Sequence, residues 1–430
     1  MVLTWRTMVF AGIIGVGVVA LQTTAAALIG IAVLLVGIVV DLLITPSPRR
    51  IEAARTPGGK VRLGQETWAD LTLRNPTERT YRLHLRDAWS PSAGAENNRD
   101  RCRLAAGESH VRRQTLTPTR RGWLSADKVT LRSFSVLGIA GRQVSFDVPA
   151  QVAITPPFLS RRHLPSRLHR LREMEGRTAL MVRGMGTEFD SLREYVPGDD
   201  VRSIDWRATA RAQEVMVKTW RPERDRRVVI VIDSGRLAAK RSAEGTQFDT
   251  FVEAAMLLTA LAGSAGDRVD VIVADARIRT AFGPLAREKA IPRFDEEIAD
   301  IFPSLYESDW QVMASEVLKR CSTQALVVFL TPLDAITIQE DVLPSLPLLK
   351  RGHQIAFASV SDPQLQDMAD EVYSPAQVYR AGAAQREMLN QRALSRAMSA
   401  SGVYSLAEPE EKLPPALADL YIRLKAQGKL

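Results

Sequence analysis

Apolar residues dominate the first forty positions, in two runs separated by a short polar interruption. The first run covers residues 8–21 and the second covers residues 25–40, with Gln-Thr-Thr between them. As a helix the first run would be about 21 Å long, which is short of a ~30 Å bilayer core unless residues 2–7 extend it and Arg6 snorkels. The pattern predicts a membrane hairpin of two short transmembrane helices within residues 1–48.

Charge on the flanks of these runs predicts their orientation. Arg6 precedes the first run, basic residues cluster at 49–62 beyond the second, and the interruption between the runs carries no charge. The positive-inside rule therefore keeps both ends, and the bulk of the chain, on the cytoplasmic side. Near the end of the second run we interpret Asp41 as an interfacial residue rather than an intramembrane functional carboxylate, because the basic flank is close.

A cleaved signal peptide is the alternative interpretation of the N-terminus. Arg6, the short apolar stretch and the small residues at 24–27 fit the three parts of such a peptide. The second run would then stop transfer, so the rest of the chain would remain in the cytoplasm under either interpretation.

Two different patterns follow the apolar runs. Residues 49–155 alternate between apolar and polar positions, as at 68–73 and 81–85, and turn clusters interrupt them. Period two is typical of half-buried strands, and the spacing predicts a small β-sandwich domain. Residues 156–226 begin with a basic stretch that is poor in apolar residues, which we interpret as a partly helical linker leading into a dense motif.

Residues 227–430 alternate buried-strand patterns with helical patterns. Near-continuous runs of Val and Ile lie at 227–233, 268–275, 325–330 and 354–360. Strands of this kind are buried on both faces, as in a parallel sheet covered by helices. We therefore predict an α/β fold with a doubly wound, mostly parallel sheet, in which residues 276–282 add an antiparallel edge strand.

Composition narrows the function classes. The 430 residues include 57 Lys and Arg against 49 Asp and Glu, a net charge of +8, and the 46% hydrophobic content excludes a disordered chain. Cys102 and Cys321 provide neither a disulfide framework nor metal-ligand spacing. The basic stretch lacks interleaved aromatic residues and any groove-reading motif, so we predict no nucleic-acid binding.

The densest unusual cluster lies at residues 186–211, just before the first strand of the predicted sheet. Its charged residues are interleaved with apolar and aromatic ones, and Pro197-Gly198 predicts a tight turn in which glycine takes a positive φ. Arginines at 193, 202 and 207 are close enough in sequence to pair with the carboxylates at 194, 199, 200 and 205. We expect an ion-pair network that holds the turn against the α/β domain, and acid–base chemistry by the aspartates is the alternative.

This cluster resembles the signature of the bacterial family called domain of unknown function number fifty-eight. The matching residues are Glu188-Phe189, Leu192-Arg193-Glu194-Tyr195, Pro197-Gly198-Asp199-Asp200, Arg202, Ile204-Asp205-Trp206 and Ala210-Arg211. The resemblance implies a protein of the bacterial inner membrane with a domain similar to the von Willebrand factor A fold. It also implies work with a MoxR-type AAA+ ATPase in protein assembly or maturation. The residues expected to matter for interaction are Glu188, Phe189, Arg193, Tyr195, Gly198, Asp199, Asp200, Arg202, Asp205, Trp206 and Arg211.

The similarity to the von Willebrand factor A fold also implies a magnesium site, with an Asp-x-Ser-x-Ser loop after the first strand. Here the loop keeps Asp233 and Ser234, but Gly235 and Leu237 stand where the two hydroxyl ligands belong. Because Mg²⁺ requires several oxygen ligands, we predict a degenerate site without a bound metal and expect no cofactor.

The function hypotheses follow from these residues. The leading one is a membrane-anchored cytoplasmic interaction scaffold, not an enzyme and without a small-molecule substrate, whose partner is a MoxR-type AAA+ ATPase. The first alternative is an enzyme that acts on an envelope precursor through Asp199, Asp200 and Asp205. The second is a metal-dependent adhesion module.

Overall fold

A computed structural model of the chain describes two units, Met1–Pro157 and Phe158–Leu430. The described residues are 2–181, 188–221, 226–242, 245–285, 288–321, 323–334, 337–362 and 364–430. For residues 175–181, 188–190 and 219–221 only the backbone is described. Each unit has its own core.

Two apolar helices open the first unit. Helix α1 (Trp5–Leu21) and helix α2 (Thr24–Ile44) are joined at Gln22, which has φ 49°. The side chain of Thr23 caps α2 by accepting the Ala26 N–H at 3.2 Å. Among the described residues, one helical stretch, Thr24–Arg50 with mean hydropathy 3.0, is long and apolar enough to cross a membrane, and α1 is shorter. The prediction of an apolar N-terminal helix is therefore confirmed.

The rest of the first unit consists of strands in two antiparallel arrays. The strands are β1 (Val2–Leu3), β2 (Glu52–Pro57), β3 (Val61–Arg62), β4 (Thr67–Arg74), β5 (Tyr81–Trp89), β6 (Arg99–Leu104), β7 (Ser109–Leu116), β8 (Gly122–Phe134), β9 (Ala140–Phe146) and β10 (Gln151–Thr155). Strands β2, β4 and β7 form a three-stranded sheet, and the others form a seven-stranded sheet in which β3 pairs with β10 in parallel.

The core of this unit draws on both sheets. Leu71 and Leu73 of β4 are buried in one cluster with Leu83 and Leu85 of β5, because alternate side chains of each strand point inward. A buried ion pair also links the sheets. The Arg55 guanidinium on β2 lies 2.5 Å from the Asp87 carboxylate on β5, and both side chains are at most 1% exposed.

A six-stranded sheet organises the second unit, in the order β15-β14-β13-β16-β17-β18. Its strands are β13 (Arg227–Asp233), β14 (Arg268–Ala274), β15 (Ile278–Leu285), β16 (Ala325–Leu330), β17 (His353–Val360) and β18 (Tyr404–Glu408). All neighbours are parallel except β14 and β15, which are antiparallel. The antiparallel edge strand predicted after residue 275 is therefore present.

Helices cover both faces of this sheet. They are α5 (Gln247–Ser264), α6 (Ala290–Ile298), α7 (Trp310–Arg320), α8 (Leu343–Lys350), α9 (Gln364–Asp370), α10 (Pro375–Ala400) and α11 (Leu413–Ala426). One core cluster unites α5, α6 and α11 with alternate residues of the strands, and a second unites α7, α8 and the end of α10 with the other residues. The Val- and Ile-rich strands are buried on both faces for this reason.

Helix α3 (Leu164–Met181) belongs to the second unit, within the stretch that we interpret from sequence as a linker. Leu171 is 2% exposed, and Leu164 and Leu168 pack against the same core. Arg167 and Arg170 both pair with Asp419 of α11, at 2.8 and 2.9 Å. The apolar residues of the segment are few, but their spacing of four and three places them on one face of the helix.

Candidate functional site

The signature cluster folds as a β-hairpin with a long, structured connection. Strands β11 (Glu188–Glu194) and β12 (Met216–Arg221) pair antiparallel, and residues 195–215 connect them. The Tyr195 N–H donates to the Val215 carbonyl at 2.7 Å. Glu188 and Phe189 pair through their backbones with residues 221 and 220, and their side chains lie outside the described residues. We call residues 188–221 the signature hairpin.

The predicted turn is held by one aspartate. Gly198 has φ 110°, a conformation that L side chains rarely adopt. The Asp199 carboxylate lies 2.5 Å from the Arg193 guanidinium and accepts the Val196 N–H at 3.0 Å. The hydrogen bond from Arg193 keeps the pKa of Asp199 below its ordinary value. Asp199 therefore stays charged and closes the turn.

The other two aspartates cap short helical segments. Asp200 accepts the Arg202 N–H at 3.0 Å at the start of a 3₁₀ turn. Asp205 is the N-cap of helix α4 (Trp206–Ala212) and accepts the N–H groups of Arg207 and Ala208 at 2.9 and 3.0 Å. Lys218 lies 3.2 Å from its second oxygen.

The state of Asp205 bears on its chemistry. Its pKa is lowered, first by the Ala208 amide and then by the Lys218 ammonium. A carboxylate in this state is engaged with donors and is a weak base near neutral pH. The contacts of Asp199, Asp200 and Asp205 within the hairpin are those of a scaffold that fixes the shape of residues 195–215.

Apolar side chains of the signature hairpin face solvent. Trp206 is 69% exposed, Val201 66% and Val196 55%, whereas Val217 on β12 is 3% exposed. Arg202 and Arg211 of the same segment are also exposed, while Tyr195 and Arg193 are half-buried. From the sequence we expect the ion-pair network to hold the turn against the α/β domain. In the structure, the described contacts of the three aspartates lie within the hairpin itself.

The sequence does not predict a pair of carboxyl groups that lies where the long connection leaves β11 and enters β12. A hydrogen bond between the Glu194 and Glu214 side chains raises the pKa of Glu214. The two residues are twenty positions apart, so their proximity depends on the pairing of β11 with β12, which local sequence does not specify.

A second polar cluster lies at the carboxyl ends of β13 and β16. The Asp233 carboxyl accepts hydrogen bonds from the hydroxyls of Ser308, at 2.5 Å, and Thr331, at 2.8 Å, and from the Gly235 N–H at 2.8 Å. Asp233 is 4% exposed, and burial raises its pKa despite these donors. A Cβ at Gly235 would collide with the Ser308 hydroxyl oxygen, so glycine at this position leaves room for that contact.

Internal hydrogen bonds and an ion pair occupy the carboxylates of this cluster. Both Asp233 oxygens accept hydrogen bonds from hydroxyls, and the neighbouring Asp275 is paired with Arg279 at 2.8 Å. Ser234, which we consider from sequence as a remaining ligand, is buried, and its hydroxyl has no partner within the described part of the chain. Among the described residues no group of three or more His, Cys, Asp and Glu side chains could hold a metal. Thr331 follows a predicted strand, but Ser308 carries no sequence signal.

Comparison with known proteins gives a family match for part of the chain. Residues 191–373 match the family described as protein of unknown function DUF58. Uncharacterised proteins of Mycobacterium tuberculosis and Mycobacterium bovis are 31% identical over 100 residues. This match covers 23% of the chain and 32% of the length of these relatives.

Solved structures are similar only in part. A CARDB domain from Pyrococcus furiosus has a TM-score of 0.18 at 12% identity, covering 24% of this chain and 86% of that one. A FixG-related protein from Vibrio parahaemolyticus has a TM-score of 0.16 at 10% identity, covering 24% and 96%. TM-scores this low do not identify a shared fold. The resemblance inferred from the signature is confirmed by the family match, which covers residues 191–373, somewhat less than half of the chain, and places this segment among sequences similar to the DUF58 family of proteins of unknown function.

Proposed function

We propose that this chain is a membrane-anchored interaction scaffold whose signature hairpin docks a protein partner. The observation that carries the proposal is the exposure of Trp206, Val201 and Val196 on a segment whose carboxylates are used to hold its shape. Tryptophan and arginine are the residue types that are enriched at interface hot spots, and large exposed apolar side chains mark interaction surfaces.

The internal contacts of the hairpin favour binding. Arg193 and Asp199 hold the turn, and Asp205 fixes the start of the helix that presents Trp206. A surface that is already ordered loses less conformational entropy when a partner binds. We infer that these charged residues act as positioning groups and that Trp206 and its apolar neighbours make the contact.

The anchor is supported by hydrogen bonds at the base of the two apolar helices. Strand β1, which precedes α1, pairs with β9 of the sandwich. The side chains of Thr4 and Thr7 donate to carbonyls of residues 138 and 139, each at 2.6 Å. Cleavage of a leader would remove these contacts, so the pattern favours an anchor that is retained. The basic flank after α2 supports a cytoplasmic location for the chain that follows.

The second unit supports the finer fold assignment. From β13 the chain passes to β14 on one side and later to β16 on the other, so the strand order reverses between β13 and β16. This reversal supports a doubly wound sheet, and we propose that it has a von Willebrand factor A-like fold. The choice of a MoxR-type AAA+ ATPase as partner rests on the family resemblance alone.

The alternatives have less support. An enzyme that uses Asp199, Asp200 and Asp205 would need a carboxyl free to exchange a proton. The pKa values of Asp199 and Asp205 are lowered by bound donors, and Asp200 accepts the Arg202 N–H. Metal-dependent adhesion would need oxygens that are free to ligate at Asp233, where hydroxyls already donate.

Co-purification with matched variants tests the proposal. The full chain and two variants, Trp206→Ser and Tyr379→Ser, are solubilised in detergent from the native cells and the bound proteins are identified. Tyr379 on α10 is 83% exposed and serves as the control. We expect a MoxR-type ATPase with the wild type and with Tyr379→Ser, and about ten-fold less with Trp206→Ser.

Two results would count against the proposal separately. Recovery of a different partner that depends on Trp206 would disprove the ATPase assignment but keep the docking surface. Equal recovery with all three chains would show that the signature hairpin is not the docking surface.

A further inference from the structure

The loop between β8 and β9 lies against the start of helix α1. Arg6 donates to the Leu137 carbonyl at 2.7 Å, and the Thr4 hydroxyl donates to the Gly138 carbonyl at 2.6 Å. The Thr4 N–H donates to the Ile139 carbonyl at 3.1 Å. We call residues 135–139 the β8–β9 loop. It provides acceptors for polar groups that a helix start leaves without partners.

The same region also contacts the end of helix α2. Asp41 is fully buried, and its carboxylate accepts the Ser135 hydroxyl and, at 2.6 Å, the Ala140 N–H. Arg142 on β9 donates to the Leu42 carbonyl at 3.1 Å. The loop and the first residues of β9 therefore hold the ends of both apolar helices.

Helix length places these contacts at the edge of a bilayer core. From Thr24 to Asp41 helix α2 rises about 26 Å, and the whole of α1, with 17 residues, is about as long. Both lengths are a few ångströms less than the ~30 Å hydrocarbon thickness. Polar groups at this depth require partners within the protein, since lipid offers none. The carboxylate of Asp41 and the N–H of Thr4 have theirs in and beside the β8–β9 loop.

The outer side of the β8–β9 loop is apolar. Val136 is 73% exposed and Leu137 51%, and Trp5, next to the Arg6 that binds the loop, is 69% exposed. Tryptophan is enriched where proteins cross the interface between lipid and water. Large apolar side chains at the tip of a loop are unfavourable in water but favourable at this depth in a membrane.

We propose that the β8–β9 loop enters the interfacial layer of the bilayer, with Val136 and Leu137 in contact with lipid. The β-sandwich then contacts the membrane directly, in addition to the two helices. This inference rests on the proposed membrane anchoring, and it adds a lipid-binding surface to a domain that would otherwise only link the anchor to the rest of the chain.

Spin-label depth measurements on the full chain in lipid nanodiscs test the inference. Labels are attached at Val136→Cys and, as a second site, Leu137→Cys. Leu28→Cys on α2, at a 70% exposed position, reports on the anchor, and Val111→Cys on β7, at a 58% exposed position, reports on water. The depth is read from collisions with oxygen, which prefers lipid, and with a nickel chelate, which prefers water.

The native cysteines give little background. Burial raises the pKa of Cys102 to about 11, and Cys321 is buried with a raised pKa as well. Both are therefore mostly unreactive thiols near neutral pH. The unmodified chain treated in the same way measures what remains.

Three outcomes are distinguishable. Labels at 136 and 137 that favour oxygen, as the label at 28 does, while the label at 111 favours the chelate, would support the inference. Labels at 136 and 137 that behave like the one at 111, with 28 in lipid, would overturn the inference and leave the anchoring intact. A label at 28 that favours the chelate would overturn the anchoring and the inference together.

Discussion

A buried charge pair between the turn that follows α5 and helix α11 permits a quantitative prediction. The Lys425 ammonium lies 2.9 Å from the Asp267 carboxylate, and their side chains are 1% and 3% exposed. The Tyr421 hydroxyl donates to the second Asp267 oxygen at 2.5 Å. Replacing Lys425 by Met keeps the length of the side chain but leaves a buried carboxylate without its counter-charge. Loss of one partner of such a pair costs about 3–5 kcal/mol of unfolding free energy.

The double variant separates charge from packing. Asp267→Asn combined with Lys425→Met removes both charges, and the new amide can still accept the Tyr421 hydroxyl. We therefore expect the double variant to be more stable than Lys425→Met alone, because no uncompensated charge remains. Lys429→Met, at an exposed position four residues later, is the matched control and should change stability by about 0.5 kcal/mol or less.

Hydrogen exchange provides the measurement. The full chain in detergent is exchanged at several denaturant concentrations, and the opening free energy is read from peptides of α5 and α11. The reasoning is refuted if Lys425→Met leaves these helices as protected as the control does. It is refuted as well if the double variant is no more stable than Lys425→Met, since the loss would then arise from packing rather than charge.

Three further predictions concern other sites. Arg55→Met should destabilise the sandwich by about 3–5 kcal/mol, because the buried Asp87 would lose its partner. Arg113→Met, at an exposed ion pair, should cost far less when both variants are measured by the same hydrogen-exchange assay. Asp205→Ala should speed amide exchange in residues 206–212, since the helix would lose its N-cap, without changing exchange in the α/β sheet. Burial raises the pKa of Asp233 above its ordinary value of 3.8, so just above pH 3.8 the folded state keeps a proton that the unfolded chain releases. The free energy of unfolding should therefore fall as the pH rises from 3.8 to the pKa of the folded state. Denaturation midpoints of Asp233→Asn should lack this slope, and an unchanged slope would contradict the assignment.

Patterns along the chain predict much of the architecture but few of the long-range contacts. Runs such as 325–330 are buried on both faces, so their strand character and their helical cover can be derived from residue type alone. The pairing of residues 2 and 3 with β9 has no comparable signal, because two residues carry no periodicity. The sequence predicts a partly helical segment at α3 but not its packing into the core of the second unit, because its apolar residues are few although well spaced.

The candidate site divides in the same way. The turn at Gly198 and its contact between Arg193 and Asp199 follow from turn chemistry and short spacing. We expected Asp205 to pair with an arginine, but it caps a helix and pairs with Lys218 from the opposite strand. Ser308 reaches Asp233 from 75 positions away, and only the tertiary fold brings it there.

The junction between the apolar helices and β9 has a mechanical consequence. Because Asp41 is hydrogen-bonded to Ala140 and Arg142 to the Leu42 carbonyl, the β-sandwich cannot rotate freely relative to helix α2. A tilt of the helix pair would rotate the β-sandwich with it, and a force on the sandwich would be transmitted to the two helices. Under the proposed membrane anchoring, a change in bilayer thickness that tilts the helices would therefore also reorient the β-sandwich.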